Sequence, residues 1–105
     1  MNVQCIPSQS DDAVTLAIDG EVDVEEAPQL TRAIIECARI ERVQMVVLDL
    51  SAVTFFGSSA IRALIRAGND LRDRGVTLHV DRTNHLVAKV LELTGVAALF
   101  PTSGR

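Results

Sequence analysis

The sequence predicts a single α/β domain over residues 1–105. Its sheet is four-stranded and mixed: an N-terminal antiparallel hairpin, then parallel strands, covered by three to four helices. Three observations predict this. Two short strand-like segments open the chain with a polar turn between them. From residue 27 onward, segments of helical period alternate with segments of strand character, the pattern of parallel strands joined by right-handed crossovers. The run from Met45 to Leu50 is almost continuously apolar, broken only by Asp49, as in a central strand buried on both faces.

The elements follow in order. Asn2 to Ile6 reads as a strand, stopped by the polar turn Pro7 to Asp12. Ala13 to Asp19 alternates apolar Val14, Leu16 and Ile18 with Thr15, Ala17 and Asp19, a half-buried strand, after which Gly20-Glu21-Val22-Asp23 leaves the sheet. A first helix starts near Ala27-Pro28, because proline lacks the N–H that the first turn leaves unpaired. Glu25 and Glu26 just ahead place negative charge at the positive end of the helix dipole. Leu30, Ile34, Cys37 and Ala38 form its inner face, and it ends near Ile40-Glu41. After the strand Met45 to Leu50, a short loop leads to a second helix running from Ser58 or Ser59 to about Arg74, with Gly75 as its stop. Ile61, Leu64, Ile65, Gly68 and Leu71 face inward, while Arg62, Arg66, Asp70 and Asp73 face solvent. Val76 to Val80 is the last strand. Asn84 caps a third helix through Leu93, closed by Gly95, and a short turn over Val96 to Leu99 precedes Phe100-Pro101.

Composition narrows the function classes. A net charge of −4, with three Phe and neither Trp nor Tyr, argues against nucleic acid, which requires a basic face or stacking aromatics. No stretch has the roughly 18 apolar residues of a membrane span. The start, Met1 to Cys5, lacks the pattern of a secretion signal, so a cytoplasmic location is expected. Cys5 and Cys37 have no metal-ligand spacing and read as two small buried thiols, a regulatory disulfide being the sharper alternative.

Catalytic machinery is not evident, and no cofactor is expected. His79 lies within a strand and His85 in the first turn of a helix, and neither is tied by sequence to a nucleophile. Gly57-Ser58-Ser59-Ala60 lacks the Gly-x-Ser-x-Gly elbow, and no Gly-rich phosphate loop occurs. The serine pair stands out instead by position. It lies at the mouth of a helix, where unpaired N–H groups and the dipole favour an anion or a phosphorylated hydroxyl. One of the two hydroxyls is expected to cap the helix, worth about 1 kcal/mol. Phe55 and Phe56 flank the pair. At least one is expected in the core, and an exposed one would anchor a partner.

Four segments stand in order along the chain: Leu16-x-x-x-Gly20-Glu21-Val22-Asp23 with Ala27-Pro28-x-Leu30; Val47-Leu48-Asp49-Leu50-Ser51-x-Val53-Thr54-Phe55 leading into the serines; Gly75-Val76-x-Leu78; and Val90 to Val96 with Leu99-Phe100-Pro101. Together they resemble the STAS domain, and within it the bacterial anti-sigma factor antagonists. The resemblance implies the STAS fold and a partner switch. The unmodified protein would bind an anti-sigma factor, a GHKL-type serine kinase, and free a sigma factor. Phosphorylation of one serine would end that binding, and a phosphatase would reset it. By position the phosphoacceptor falls on Ser58, with Asp23 the acidic residue near it. Phe55, Phe56, Gly57, Ser58, Ser59 and Arg62 join Asp23 in the implied partner-binding face. Gly57 stands where the family usually has an acidic residue and Ala60 where it has glycine. These departures leave open an alternative, a non-phosphorylated accessory subunit of a lipid-transporting ABC system.

Overall fold

A computed structural model describes residues 1–7 and 12–100. The expected turn over Ser8 to Asp11 and Pro101 lie outside the described residues. The element order is β1 (Asn2–Pro7), β2 (Ala13–Val22), α1 (Ala27–Ala38), β3 (Met45–Phe56), α2 (Ser58–Asp73), β4 (Thr77–Arg82), α3 (His85–Leu93) and a 3-10 turn (Val96–Leu99). The strands lie side by side in the order β1-β2-β3-β4; β1 is antiparallel to β2, while β2, β3 and β4 are parallel.

That strand order decides where the core sits. Each crossover steps to the next strand in the same direction. Two right-handed crossovers stepping the same way put their helices on the same face. α1 and α2 accordingly pack against each other, and one apolar cluster draws on all three helices and on β2, β3 and β4. Alternate residues Val14, Leu16 and Ile18, then Val46, Leu48 and Leu50, then Leu78 and Val80 point into it and are buried. The residues between them, such as Thr15, Asp49 and His79, are only half-buried. The expectation of a central strand buried on both faces therefore fails except at Val47, because among the described residues no helix layer covers the second face.

The strands next to the helix mouth run further than the sequence pattern implies. β2 does not leave the sheet at Gly20 but pairs through Val22, opposite Phe56. β3 does not end at Leu50 but continues to Phe56, leaving Gly57 alone as the link to α2. The reason lies in the register. Two irregularities insert extra residues into β3, opposite Ala17/Asp19 and opposite Gly20/Glu21. Buried positions then step by three, from Leu50 to Val53 to Phe56, instead of by two. Bulges of this kind re-aim side chains and hide a strand from a period-two pattern. At the first bulge Asp49 Oδ1 accepts hydrogen bonds from the Ser51 amide (3.0 Å) and hydroxyl (2.7 Å).

β3 also outruns β4, whose last pairing is Asp49 with Arg82. The carbonyls of Ser51 and Val53 are taken up by Asn84, whose Nδ2 donates to both, at 3.1 and 2.7 Å. The Asn84 side-chain oxygen accepts from the Val87 amide at 2.9 Å, the expected cap of α3. One side chain thus caps a helix and holds the far end of β3. The remaining elements agree with expectation within two to three residues. Gly75 and Gly95 follow α2 and α3 with positive φ, and α1 ends at Ala38 rather than near Glu41. Cys37 is buried, but Cys5 is exposed on β1, so the reading of two buried thiols holds for Cys37 only.

Candidate partner-binding site

The carboxyl ends of β2 and β3 come out together, because Val22 and Phe56 are paired neighbours. Asp23 follows the first strand and Gly57 the second, and the Gly57 amide donates to the Val22 carbonyl at 3.3 Å. The carboxyl end of β3 passes through Gly57 alone into α2, so the start of that helix lies directly beyond the paired strand ends.

Ser58 and Ser59 are the first two residues inside α2, and neither caps it. The cap position belongs to Gly57, which has extended backbone and no side chain to offer. The expected capping role of a serine is therefore corrected. The chain enters the helix one residue earlier because β3 persists to Phe56. Ser58 is exposed and Ser59 half-buried. The first amides of α2 have no partner within the helix, so the Ser58 hydroxyl lies among outward-pointing N–H groups with the positive end of the dipole behind it.

The two phenylalanines separate as the second bulge dictates. Phe56 turns into the core at 3% exposure, and Phe55 points out at 44%. The Phe55 ring lies across Gly57. A Cβ at position 57 would meet Phe55 Cε2 at 2.9 Å and Cζ at 3.3 Å, with Asp23 Oδ1 at 3.7 Å. Gly57 has φ of −89°, open to any residue, so its contribution is space for the ring rather than backbone freedom. Ala60, the second departure from the family pattern, is fully buried against the core.

Asp23 is exposed but held. Its Oδ1 accepts from the Val24 amide at 2.8 Å, and its own amide donates to Glu26 Oε1 at 3.0 Å. Its carbonyl accepts from the amides of Glu26 and Ala27 at 3.0 and 2.9 Å. Asp23 and Glu26 thus close a turn just before α1, with the Glu26 carboxylate accepting from the Asp23 amide. This fixes a carboxylate beside the α2 mouth.

Ser59 and Arg62 line a groove of about 560 Å³ between α1 and α2. Ala27, Ile35 and Ala63 line it together with Arg32, Arg39, Arg62 and Arg66, and Glu36 is the one acidic residue in its lining among the described residues. Among the described residues none of these arginines forms an ion pair. Val24, 65% exposed, stands at the end nearest Asp23. Sequence reasoning placed Arg62 at the site but missed Arg32, Arg39, Arg66 and Val24. The spacing of seven between Arg32 and Arg39, and of four between Arg62 and Arg66, signals one face of each helix. Nothing local signals that the two faces meet. The structure therefore gathers Asp23, Phe55, Gly57, Ser58, Ser59 and Arg62 at one end of the sheet, while Phe56 supports them from within.

Comparison with known proteins agrees with this architecture. The family model of the STAS domain matches residues 6–104. The crystal structure of an anti-sigma factor antagonist from Mycobacterium paratuberculosis is similar over 96% of this chain and 85% of that one, at 26% identity and a TM-score of 0.77. The anti-sigma factor antagonist SpoIIAA in its unphosphorylated form matches at 16% identity over 97% and 88% of the two chains, TM-score 0.76. The Bacillus cell fate determinant SpoIIAA in its phosphorylated form matches at 15% identity over 97% and 91%, TM-score 0.68. These last two likenesses are of fold alone. No curated protein sequence matches the chain.

Proposed function

The chain belongs to the STAS domain family, and on that footing we propose that it is an anti-sigma factor antagonist switched by phosphorylation of Ser58. The observation that carries the proposal is an exposed serine at the start of α2, directly after Gly57, a position that both the exposed Phe55 ring and the fixed carboxylate of Asp23 approach. The likeness to the Mycobacterium paratuberculosis antagonist, over nearly the whole chain, supports it.

In this reading the unmodified protein docks the α2 mouth on an anti-sigma factor, a GHKL-type serine kinase, and releases the sigma factor. Phe55 and Val24 supply apolar contact at the centre, and aromatic anchors of this kind carry much of an interface's free energy. Arg62 and the basic groove behind it fit an acidic partner surface. The protein works by binding alone, in the cytoplasm, without catalysis or a cofactor of its own. The kinase moves the γ-phosphoryl group of ATP to Ser58 Oγ, and the hydroxyl proton leaves with the base that the kinase provides. The phosphate adds close to two negative charges at pH 7. The α2 amides accept that charge without refolding, while Asp23 repels it and the partner must desolvate it. Binding ends, and a phosphatase restores the hydroxyl.

The test is affinity capture of the tagged protein from its own host, with mass spectrometry of partners and of Ser58. A GHKL-type kinase in the capture, with phosphate on Ser58 that disappears in Ser58→Ala, is the expected result. An ABC ATPase in its place, with Ser58 bare, overturns the proposal in favour of an accessory subunit.

A further inference from the structure

Cys5 and Cys37 are 32 residues apart in sequence, yet their sulfurs are 3.2 Å apart, the Cys37 thiol donating to Cys5 Sγ. Cys5 sits on β1, an edge strand with no buried residue, paired only with β2. Cys37 sits in the last turn of α1, buried. The pair lies in a crevice of about 220 Å³ lined also by Val3, Leu16, Ala33, Glu36 and Ile40. Val3 and Ile40 are exposed, so the crevice is open to small molecules. A disulfide requires the sulfurs to close by only about 1 Å, to the bonded distance near 2.05 Å.

We propose that Cys5 and Cys37 form an oxidation site that closes to an intramolecular disulfide on reaction with a low-molecular-weight disulfide. The Cys5 thiolate attacks one sulfur of oxidised glutathione. A new S–S bond forms, the glutathione S–S bond breaks, and a glutathione thiolate leaves. Cys37, as thiolate, then attacks Cys5 Sγ. The Cys5–Cys37 bond forms, the mixed disulfide breaks, and a second glutathione leaves and takes up the proton of Cys37. The protein loses two electrons and two protons, and oxidised glutathione becomes two reduced molecules.

The two thiols differ as this order requires. Cys5 is accessible. Cys37 is shielded, and burial first, then the Cys5 thiol beside it, push its pKa up to about 12. Cys37 is therefore a poor first nucleophile. The part of the rise owed to the Cys5 thiol ends once that sulfur is in a mixed disulfide, while Cys37 remains in contact with its target. Closure ties the edge strand β1 directly to α1, a connection that its pairing with β2 alone does not give. This site is separate from Ser58 and does not depend on the proposed partner.

The experiment treats the purified full chain with oxidised glutathione and follows intact mass, peptide linkage and amide hydrogen exchange. The wild type is expected to lose two hydrogens, to give a linked Cys5–Cys37 peptide, and to exchange more slowly along β1 than the reduced chain. Cys37→Ala is expected to stop with one glutathionyl group on Cys5. Cys5→Ser, a surface change that leaves the core intact, is expected to stay unmodified in the folded state. A wild type that keeps glutathione on Cys5 as fully as Cys37→Ala does, or that links two chains through Cys5, overturns the proposal. So does a folded Cys5→Ser chain whose Cys37 takes up glutathione as fast as Cys5 does in the wild type. That variant decides the matter even where Cys37→Ala fails to fold.

Discussion

Replacing Asn84 with alanine tests whether one side chain holds the end of β3 in place. The substitution removes the cap bond from the Val87 amide, worth about 1 kcal/mol. It also strips two carbonyls of their donor. That of Ser51 is exposed and regains water at little cost. The bond to Val53 is partly buried, and loss of its donor costs about 1 kcal/mol. The sum is about 2 kcal/mol, which for a domain of this size lowers Tm by roughly 8–16 °C. Asn84→Ser separates the two parts. Its hydroxyl keeps an acceptor at the α3 cap position, but it lacks the Nδ2 donor to the two carbonyls and sets no new charge against them. It should cost about 1 kcal/mol. The assay is urea unfolding of the three proteins with a common slope, and hydrogen exchange at Gly57 to report loosening of the strand end. An Asn84→Ala chain within about 0.5 kcal/mol of wild type refutes the reasoning. Equal losses in Asn84→Ala and Asn84→Ser refute the cap contribution.

Other substitutions address the proposed interface. Ser58→Ala should change stability by no more than about 0.5 kcal/mol, because the residue lies inside the helix and caps nothing; urea unfolding checks it, and a loss near 1 kcal/mol restores a structural role for the hydroxyl. Ser58→Glu should weaken partner capture at unchanged fold, read by pull-down beside circular dichroism. Phe55→Ala should cost about 1–2 kcal/mol of stability, since the residue is 44% exposed, but lower partner affinity by about tenfold or more, measured by calorimetry. Gly57→Ala should fold with a loss under about 1 kcal/mol, because the exposed Phe55 ring swings away from the new Cβ and φ stays ordinary. A larger loss would show the ring to be locked.

The departures of the site from its sequence pattern share one cause. The alternation that makes β2 and the first half of β3 readable breaks at Leu50, Val53 and Phe56, where buried residues step by three. An isolated chain gives no reason to continue the strand there. The reason is the partner strand, ten residues of β2 facing twelve of β3. From that mismatch follow the length of β3, the direct passage through Gly57 into α2, the position of Ser58 inside the helix, and the outward turn of Phe55. The cap at Asn84 was legible because the bond to Val87 is local. Its grip on Ser51 and Val53 was not, because those residues are more than thirty positions away.

Local order in the sequence determined the element string, the inner faces of the helices, the proline start of α1, the glycine ends of α2 and α3, and the placing of Ser58 at a helix mouth. Each rests on periods of two to four residues or on a single residue's backbone chemistry, and these act over one turn or one strand. Tertiary structure alone decided that one sheet face stays partly open, that four arginines of two helices border a common groove, that Asp23 lies beside Gly57, and that Cys5 meets Cys37. Those are meetings of residues far apart in the chain, set by crossover handedness, strand register and packing in a common core, and no short window of sequence contains them.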